Sequence, residues 1–264
     1  MADDATPKKS LGQHWLHDQK SLNAMLEAAD VQDTDTILEI GPGLGTLTTL
    51  LCAKAKEVIA VELDIYLASD LNRKVPAKNL QVVNEDILRF DFASLPPNYK
   101  IVANIPYYLT SNLLRTISDT QAPPLSATLL TQKEVAERVA AEPGQMSILS
   151  VAVQFFWEVR LGPVVPAELF TPPPKVDSQI LTLKRFDPLP YPDADIKQFF
   201  HIVRSGFSQK RKTLLNTLSS GLHIDRKEIS AICLSVGVDP ARRAQTLSLE
   251  EWYRVYREIS PLTS

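Results

Sequence analysis

The chain has 264 residues, of which 44% are hydrophobic and 22% charged, and its formal net charge is −3. This length allows one α/β domain and a smaller second domain. No apolar stretch approaches the roughly 18 residues of a membrane span, and the N-terminal segment resembles neither a signal peptide nor an amphipathic presequence. The two cysteines, Cys52 and Cys233, lie far apart and form no CxxC motif. We therefore expect no disulfide, no metal site, no membrane partner and a cytoplasmic location.

The charges are distributed unevenly along the chain. Residues 1–183 contain 15 Lys/Arg and 22 Asp/Glu, a balance of −7, whereas residues 184–264 contain 13 and 9, a balance of +4. An acidic body with a basic C-terminal part is typical of a protein that contacts nucleic acid through one region. Chance scatter would give the same numbers, so the charge pattern alone leaves both interpretations open.

Short apolar runs rich in branched residues alternate with helical patterns, which predicts an α/β fold with βαβ units around a mainly parallel sheet. The predicted strands are 36–39, 58–61, 80–83, 101–103 and 127–130, and the predicted helices are 46–54, 111–117 and 133–141. Two later strands, 158–164 and 178–185, have no helix between them. They predict an antiparallel hairpin at one edge of the sheet.

A proline-rich stretch separates this part from the C-terminal residues. The sequence FDPLPYPD, residues 186–193, contains three prolines and is typical of a linker. Beyond it, Asp239-Pro240 predicts a helix start, and Ser248 with Glu251 predicts a capping box that opens a last helix. We predict a first domain over 1–186 with flexible residues 1–10, a linker over 187–192 and a helical domain over 193–264.

A glycine-rich turn, LEIGPGLG at 38–45, follows the first strand of the predicted sheet and opens a helix. Alternate glycines let the backbone turn tightly and approach a ligand closely. The spacing G-x-G-x-G differs from the dinucleotide fingerprint G-x-G-x-x-G, and an acid, Glu39, precedes it. A carboxylate would repel a phosphate and attract a cation, so the pattern favours S-adenosylmethionine, which has a sulfonium and an α-amino group. A lone turn of this kind would equally suit a dinucleotide or no ligand.

Two further acids follow the next strands along the chain. Glu62 closes the second strand, where a carboxylate can accept ribose hydroxyls, and Asp86 follows the third, where it can accept from an adenine amino group. Each acid alone is as easily a solvated strand end. Because ligands of open α/β sheets bind at the carboxyl edge of the strands, the acids and the glycine turn together predict a cofactor site there.

The fourth strand ends in Asn104, Ile105, Pro106 and Tyr107. An exocyclic amino nitrogen is a poor nucleophile because its lone pair is delocalised into the ring. Two acceptors on its hydrogens would favour a reactive tetrahedral nitrogen. They are the Asn104 side-chain oxygen and the Ile105 carbonyl, which Pro106 keeps out of the sheet. Tyr107 offers a face on which a planar base can stack, so positioning carries the predicted catalysis.

In these motifs the sequence resembles the ribosomal RNA adenine N6-dimethyltransferases, most of all the bacterial small-subunit members linked to kasugamycin sensitivity. The matching segments are KKSLGQHWL (8–16), LEIGPGLGTLT (38–48), VELD (61–64), EDIL (85–88), NIPYYL (104–109), LFTPPPKVDS (169–178) and FSQKRKTLLNTL (207–218). NIPY together with FTPPPKVDS is specific to rRNA adenine methylation. The resemblance implies a Rossmann-like seven-stranded methyltransferase sheet with a small all-helical C-terminal domain.

The resemblance also implies an activity and a set of residues. The activity is the transfer of methyl groups from S-adenosylmethionine to the N6 atoms of two adjacent adenosines near the 3′ end of 16S rRNA, in an immature small ribosomal subunit, by a monomer. Many members have Asn-Phe where this chain has His14-Trp15, so the resemblance supports a backbone contact from Leu16 better than a side-chain contact from His14. Phe170 would be a second aromatic wall around a flipped adenine, opposite Tyr107. The implied cofactor contacts are His14, Leu16, Gly41, Gly43, Glu62, Asp86 and Asn104.

For the RNA, the basic run Lys210, Arg211 and Lys212, with Arg204 nearby, predicts phosphate contacts; a solvated helix face would explain the same run. Arg242 and Arg243 lie in the same predicted domain. Two alternatives to the main interpretation stay open. One is the 23S rRNA adenine methyltransferase of the macrolide-resistance type, which shares NIPY but is not expected to match FSQKRKTLLNTL. The other is a ribosome-assembly factor whose main role is binding.

Overall fold

The computed structural model describes residues 7–8 and 11–263. Apart from residues 7 and 8, the predicted flexible segment 1–10 lies outside the described residues. The chain divides into two compact units, one that ends at Ala136 and resumes over Glu158–Arg185, and one of Glu137–Trp157 with the residues from Phe186 onward. None of the helices in the described part of the chain has both the length and the apolar character needed to cross a membrane.

The first unit is built on a seven-stranded sheet. In chain order the elements up to residue 185 are β1 (Trp15–Leu16), α1 (Gln19–Ala28), β2 (Thr36–Ile40), α2 (Thr46–Lys54), β3 (Glu57–Glu62), α3 (Ile65–Lys74), β4 (Leu80–Asn84), β5 (Lys100–Asn104), α4 (Thr110–Asp119), β6 (Ser126–Gln132), α5 (Lys133–Val139), α6 (Ile148–Gln154), β7 (Trp157–Val165), β8 (Phe170–Thr171) and β9 (Ser178–Arg185). The strand order is β4-β3-β2-β5-β6-β9-β7, and β1 pairs with β8 in a separate two-stranded sheet.

The sheet is mixed. Strands β2 to β6 pair in parallel with one another, and β9 runs antiparallel to β6. All seven strands predicted from the sequence are present, and the Rossmann-like fold class is confirmed. The central strands are buried on both faces because helices cover parallel sheets on both sides; all five residues of β2, for example, are buried.

The sheet topology brings four polar strand ends to one edge. Because β2, β3, β4 and β5 are mutually parallel, their carboxyl ends lie on the same side of the sheet. Glu39 lies near the end of β2 and Glu62 ends β3, Asp86 follows β4, and Asn104 ends β5. The fold therefore places residues that are up to 65 positions apart in sequence beside one another.

The second unit is helical. Besides α6 it contains α7 (Ile196–Phe207), α8 (Leu214–Leu222), α9 (Arg226–Ser235) and α10 (Leu249–Ile259). Phe199 and Trp252 are fully buried in its core, and a Cβ at Gly206 would overlap the Trp252 ring, which explains a glycine inside α7. Tyr191, from the predicted linker, packs on Phe155 and Tyr253 with ring centroids 5.6 and 4.3 Å apart. The predicted domain limits stay a prediction.

One helix start was predicted correctly and one was wrong. Ser248 and Glu251 form the predicted capping box at the start of α10. At Asp239-Pro240 the chain makes only a turn, although the Asp239 side chain does accept from the Ala241 amide at 2.8 Å. The carbonyls of Pro240 and Arg242 accept hydrogen bonds from amides in the first turn of α8. In a helix these two carbonyls would accept from amides of the helix itself, so the contact with α8 replaces the helical hydrogen bonds.

Candidate active site

The glycine turn after β2 has a backbone that only glycine adopts easily. Gly41, Gly43 and Gly45 have φ angles of 67°, 57° and 84°, in the left-handed region that penalises a Cβ. A Cβ at Gly45 would also lie 2.7 Å from Val75 Cγ2. The three glycines are therefore required by the shape of the turn, which leads directly into α2.

A cavity of about 250 Å³ lies at this edge of the sheet. Its lining includes nearly all of the residues predicted for the cofactor and the target amine, from positions 11 to 109. Those residues are His14, Leu16, Gly41, Gly43, Glu62, Asp86, Asn104, Ile105, Pro106 and Tyr107. The structure thus brings the two predicted halves of the site into one cavity.

The cavity is acidic. Among the described residues of its lining, four carry carboxyl groups (Glu39, Glu62, Glu85 and Asp86), and none is Lys or Arg. Carboxylates focused in a cleft raise the local concentration of cations and disfavour phosphates. These acidic side chains therefore fit the cationic, phosphate-free S-adenosylmethionine better than a dinucleotide.

Glu62 is held by backbone amides of two turns. Its Oε2 accepts from Gly43 N at 3.1 Å and its Oε1 accepts from Asp64 N at 2.9 Å. Burial raises the pKa of this carboxyl, while the amide hydrogen bonds of Asp64 and Gly43 act in the opposite direction. The side chain joins the glycine turn to the end of β3, and a carboxylate with about four acceptor positions can still accept ligand hydroxyls.

Asp86 is positioned by its own turn. Its Oδ1 accepts from Leu88 N at 3.0 Å, an Asx-type contact that turns the chain after β4. The carboxyl group is partly buried and lines the cavity together with Leu88. This geometry is compatible with the predicted contact to an adenine amino group.

Residues 11–16 of the N-terminal segment line the cavity. The resemblance implied cofactor contacts from His14 and Leu16, whereas no pattern within the sequence alone pointed to this segment. Asn104 Nδ2 donates to the His14 carbonyl at 3.2 Å, and Thr46 Oγ1 donates to the Leu16 carbonyl at 3.1 Å. The Trp15 ring lies against the glycine turn, since a Cβ at Gly43 would be 3.3 Å from it. Without the resemblance, the signal for this segment would have been only its apolar residues near a glycine.

The aromatic part of the site is a connected network. The His14 and Tyr107 rings stack with centroids 5.7 Å apart. His14 Nδ1 lies 2.7 Å from the Pro172 carbonyl and donates to it, since a carbonyl can only accept. The Tyr107 hydroxyl is 2.8 Å from Ser178 Oγ. Residues of the FTPPPKVDS segment therefore fix the ring that is predicted to stack the target base.

Phe170 is not brought to the cavity. Its side chain is 3% exposed and belongs to the hydrophobic core that contains Leu16, Leu22 and Ile180. Its strand, β8, pairs with β1, where Phe170 faces Leu16 in the ladder. In this conformation it supports the N-terminal segment and is not an open aromatic wall, so the predicted stacking role would require the ring to leave the core.

Two substitutions of Phe170 separate a packing role from a base-stacking role. Phe170→Ala is expected to destabilise the fold by roughly 3–5 kcal/mol, as for other buried phenylalanines, measured by denaturant unfolding. Phe170→Leu keeps most of the apolar volume and is expected to cost less than about 1.5 kcal/mol. If Phe170 only packs, the leucine variant methylates RNA like the parent. A large loss of methylation in a stably folded leucine variant would instead support the stacking role.

The predicted RNA-contacting residues lie in the second unit. Arg204 in α7 and the run 210–212 are all exposed, and the run lies in the turn between α7 and α8, not on a helix face. Arg242 differs, because its guanidinium forms an ion pair with Glu251 at 2.5 Å and donates to the Thr246 carbonyl. The Arg242 guanidinium is therefore used inside the second unit, and a phosphate contact is not needed to account for this arginine.

Comparison with known proteins agrees with this geometry. A model of the ribosomal RNA adenine dimethylase family matches residues 5–260. A protein named ribosomal RNA small subunit methyltransferase A from Dehalococcoides mccartyi is 43% identical over 255 residues, 93% of this chain and 86% of that protein. A dimethyladenosine transferase from Plasmodium falciparum superposes with a TM-score of 0.80 at 26% identity, over 94% of this chain and 98% of that one. For the 23S rRNA methyltransferase ErmE the TM-score is 0.76 at 28% identity, over 93% and 99%.

The mixed seven-stranded sheet with a cavity at its carboxyl edge defines a methyltransferase of the Rossmann-like class. Within that class, the chain belongs to the ribosomal RNA adenine dimethylase family. The family and the enzyme class, an rRNA methyltransferase, are as the sequence motifs predicted, and both are confirmed.

Proposed function

We propose that this protein uses S-adenosylmethionine to dimethylate N6 of two adjacent adenosines near the 3′ end of 16S rRNA. The substrate is an immature small ribosomal subunit, and the enzyme acts as a cytoplasmic monomer without a metal. The small-subunit assignment is supported by the name of the 43% identical relative. The similarity to a 23S rRNA methyltransferase keeps large-subunit RNA as the alternative to be tested.

A single observation carries the proposal. One cavity combines an acidic cofactor side, with Glu62 and the glycine turn, and an amide-and-tyrosine side formed by Asn104 and Tyr107. The first suits a cation without phosphates, and the second suits an aromatic amine. Methyl transfer between two such ligands needs them side by side, since orientation supplies a large share of the rate acceleration.

The residues of this chain then have distinct roles. S-adenosylmethionine, when bound, supplies the methyl group and a good leaving group. Asn104 donates through Nδ2 to the His14 carbonyl, which turns its Oδ1 away from that carbonyl and leaves it to accept from the target amine. The Ile105 carbonyl is the second acceptor, and Tyr107, held by Ser178, stacks the flipped base.

The proposal is tested by incubating immature small-subunit particles with the protein and S-adenosylmethionine, then mapping the methylated adenosines by mass spectrometry. We expect two adjacent dimethyladenosines near the 3′ end of 16S rRNA. Mature subunits and purified large-subunit RNA serve as parallel substrates. Methylation of 23S RNA alone would establish the alternative, and binding of particles without methylation would establish a role as an assembly factor.

The basic turn of the second unit is expected to bind RNA phosphates. Neutralising Lys210, Arg211 and Lys212 together should flatten the salt dependence of RNA binding, by about one unit of slope for each phosphate that the variant no longer neutralises. Cofactor affinity should stay unchanged, because the cavity lining lies within residues 11–109. The measurement is the dissociation constant for the RNA at several salt concentrations.

A matched control removes the same charge elsewhere. Lys54, Lys56 and Lys78 are exposed residues of the first unit, and replacing all three should leave the salt slope as in the parent. Equal slopes in the parent and in the 210–212 variant would show that the basic turn faces only solvent.

A further inference from the structure

The cavity contains a buried acid that the proposed mechanism does not use. Glu39 lines the cavity and its residue is 1% exposed. Its Oε2 has no hydrogen-bond partner among the described residues. A buried carboxylate with an unpartnered oxygen is costly unless it is neutral or acquires a counter-charge.

The groups that face Glu39 do not supply that counter-charge. Glu62, from the end of β3, is a second buried carboxyl group that acts on it electrostatically. From α2 it faces Cys52, a neutral thiol whose pKa is raised by burial to about 11. No Lys or Arg is present among the described lining residues. Two neighbouring buried carboxyls without a cation cannot both ionise at low cost.

We propose that Glu39 is a proton-linked counter-charge for the cofactor. It is protonated while the cavity holds no cation, and it releases its proton to solvent when cationic S-adenosylmethionine enters. The inference rests on the proposed function, since it requires that this cavity bind that cofactor. In this step the O–H bond of the carboxyl ionises, and the carboxylate then balances the positive charge of the ligand. No other covalent bond changes.

The protonation state before binding follows from burial. Removal from water raises the pKa of Glu39 to about 8. The nearby Glu62 carboxyl also raises this pKa, and the Thr48 hydroxyl lowers it. At pH 7 the free protein therefore holds this proton in most molecules, and full ionisation on binding releases most of one proton per cofactor.

The sign of the pH dependence is fixed by competition between a proton and a cation for one carboxyl group. The Glu39 contribution to cofactor affinity should rise about tenfold per pH unit below about pH 7 and level off above about pH 9. The α-amino group of the cofactor also titrates near pH 8. The Glu39 contribution is therefore measured as the difference in pH dependence between the parent and a Glu39→Gln variant.

The experiment is isothermal titration calorimetry of the full chain with S-adenosylmethionine in several buffers of different ionisation enthalpy at the same pH. The parent should release close to one proton more than Glu39→Gln, and the variant should lose the Glu39 part of the pH dependence. Cys52→Ser, at the neighbouring thiol, should release as many protons as the parent. Adenosine, which shares the nucleoside but lacks both cationic groups, should release no such proton.

Several outcomes would overturn the inference. Equal proton release by the parent and Glu39→Gln would show that Glu39 is not the source of the proton. Equal release on adenosine binding would show that the positive charge of the cofactor is not the cause. Release that is abolished only in Glu62→Gln would assign the proton to Glu62. If Glu39→Gln does not fold, infrared difference spectroscopy of the parent decides, because the proposal requires a protonated-carboxyl band that disappears on cofactor addition. Absence of cofactor binding in the parent at any pH would instead contradict the proposed function.

Discussion

Asn104→Ala is expected to slow methyl transfer by roughly 10²- to 10³-fold, the usual loss when one preorganised hydrogen-bond partner of a transition state is removed. RNA binding and cofactor affinity should change far less. The reason is that the Asn104 side-chain oxygen accepts most strongly as the amine nitrogen becomes tetrahedral, so its contribution appears in the rate and not in ground-state binding. Single-turnover methylation with saturating RNA and cofactor measures this rate.

A second variant separates the two hydrogen bonds of Asn104. Its Nδ2 donates to the His14 carbonyl at 3.2 Å, so alanine removes a structural hydrogen bond as well as the proposed acceptor. Asn104→Asp keeps the acceptor and loses the donor. If the acceptor matters, the aspartate variant should retain more activity than the alanine variant. If Asn104 only anchors the N-terminal segment, both variants should lose activity alike.

The second methylation provides another test of Asn104. An amine that already carries one methyl group has one hydrogen left, so the site cannot use both acceptors in both rounds. Asn104→Ala should therefore impair the first methylation more than the second, which mass spectrometry of the RNA shows as a changed ratio of monomethyl- to dimethyladenosine. Methylation at the parental rate would reduce this stretch to an ordinary strand end.

Glu62→Ala is expected to weaken cofactor binding by about 1.5–3 kcal/mol for each charge-assisted hydrogen bond that the substitution removes, which corresponds to roughly 10- to 150-fold in the dissociation constant. Two effects combine here. The carboxylate is the predicted partner of the ribose hydroxyls, and it also accepts from Gly43 N at 3.1 Å, so its removal frees the glycine turn. Calorimetry measures the affinity.

The matched control for Glu62 lies on the same strand. Glu57 begins β3 at the end opposite Glu62 and does not belong to the described cavity lining, so Glu57→Ala should bind the cofactor like the parent. Unchanged affinity in Glu62→Ala would contradict the ribose assignment. Tighter binding of NAD than of S-adenosylmethionine by the parent would contradict the cofactor assignment as a whole.

Local sequence patterns predicted most of the sheet because they report local physics. Branched apolar runs gave β2 to β6 with limits close to those of the structure, and helix α2 begins and ends at the predicted residues, Thr46 and Lys54. The capping box at Ser248 is likewise a contact between residues three positions apart. The alternate glycines at 41–45 predict the positive φ angles of the turn, because glycine adopts them without a steric penalty. Such features depend on neighbours in the chain, so the chain alone determines them.

Only the tertiary structure decided the rest, because it depends on which distant atoms compete for the same group. The proposed wall Phe170 lies in the core because β8 pairs with β1. Asp239-Pro240 starts no helix because carbonyls of this turn accept hydrogen bonds from α8. Arg242 forms an ion pair with Glu251. Sequence spacing marked Glu39 as an acid near a cofactor. Its isolation from water and from any described cation, which makes it a candidate for proton linkage, appears only once the sheet has assembled.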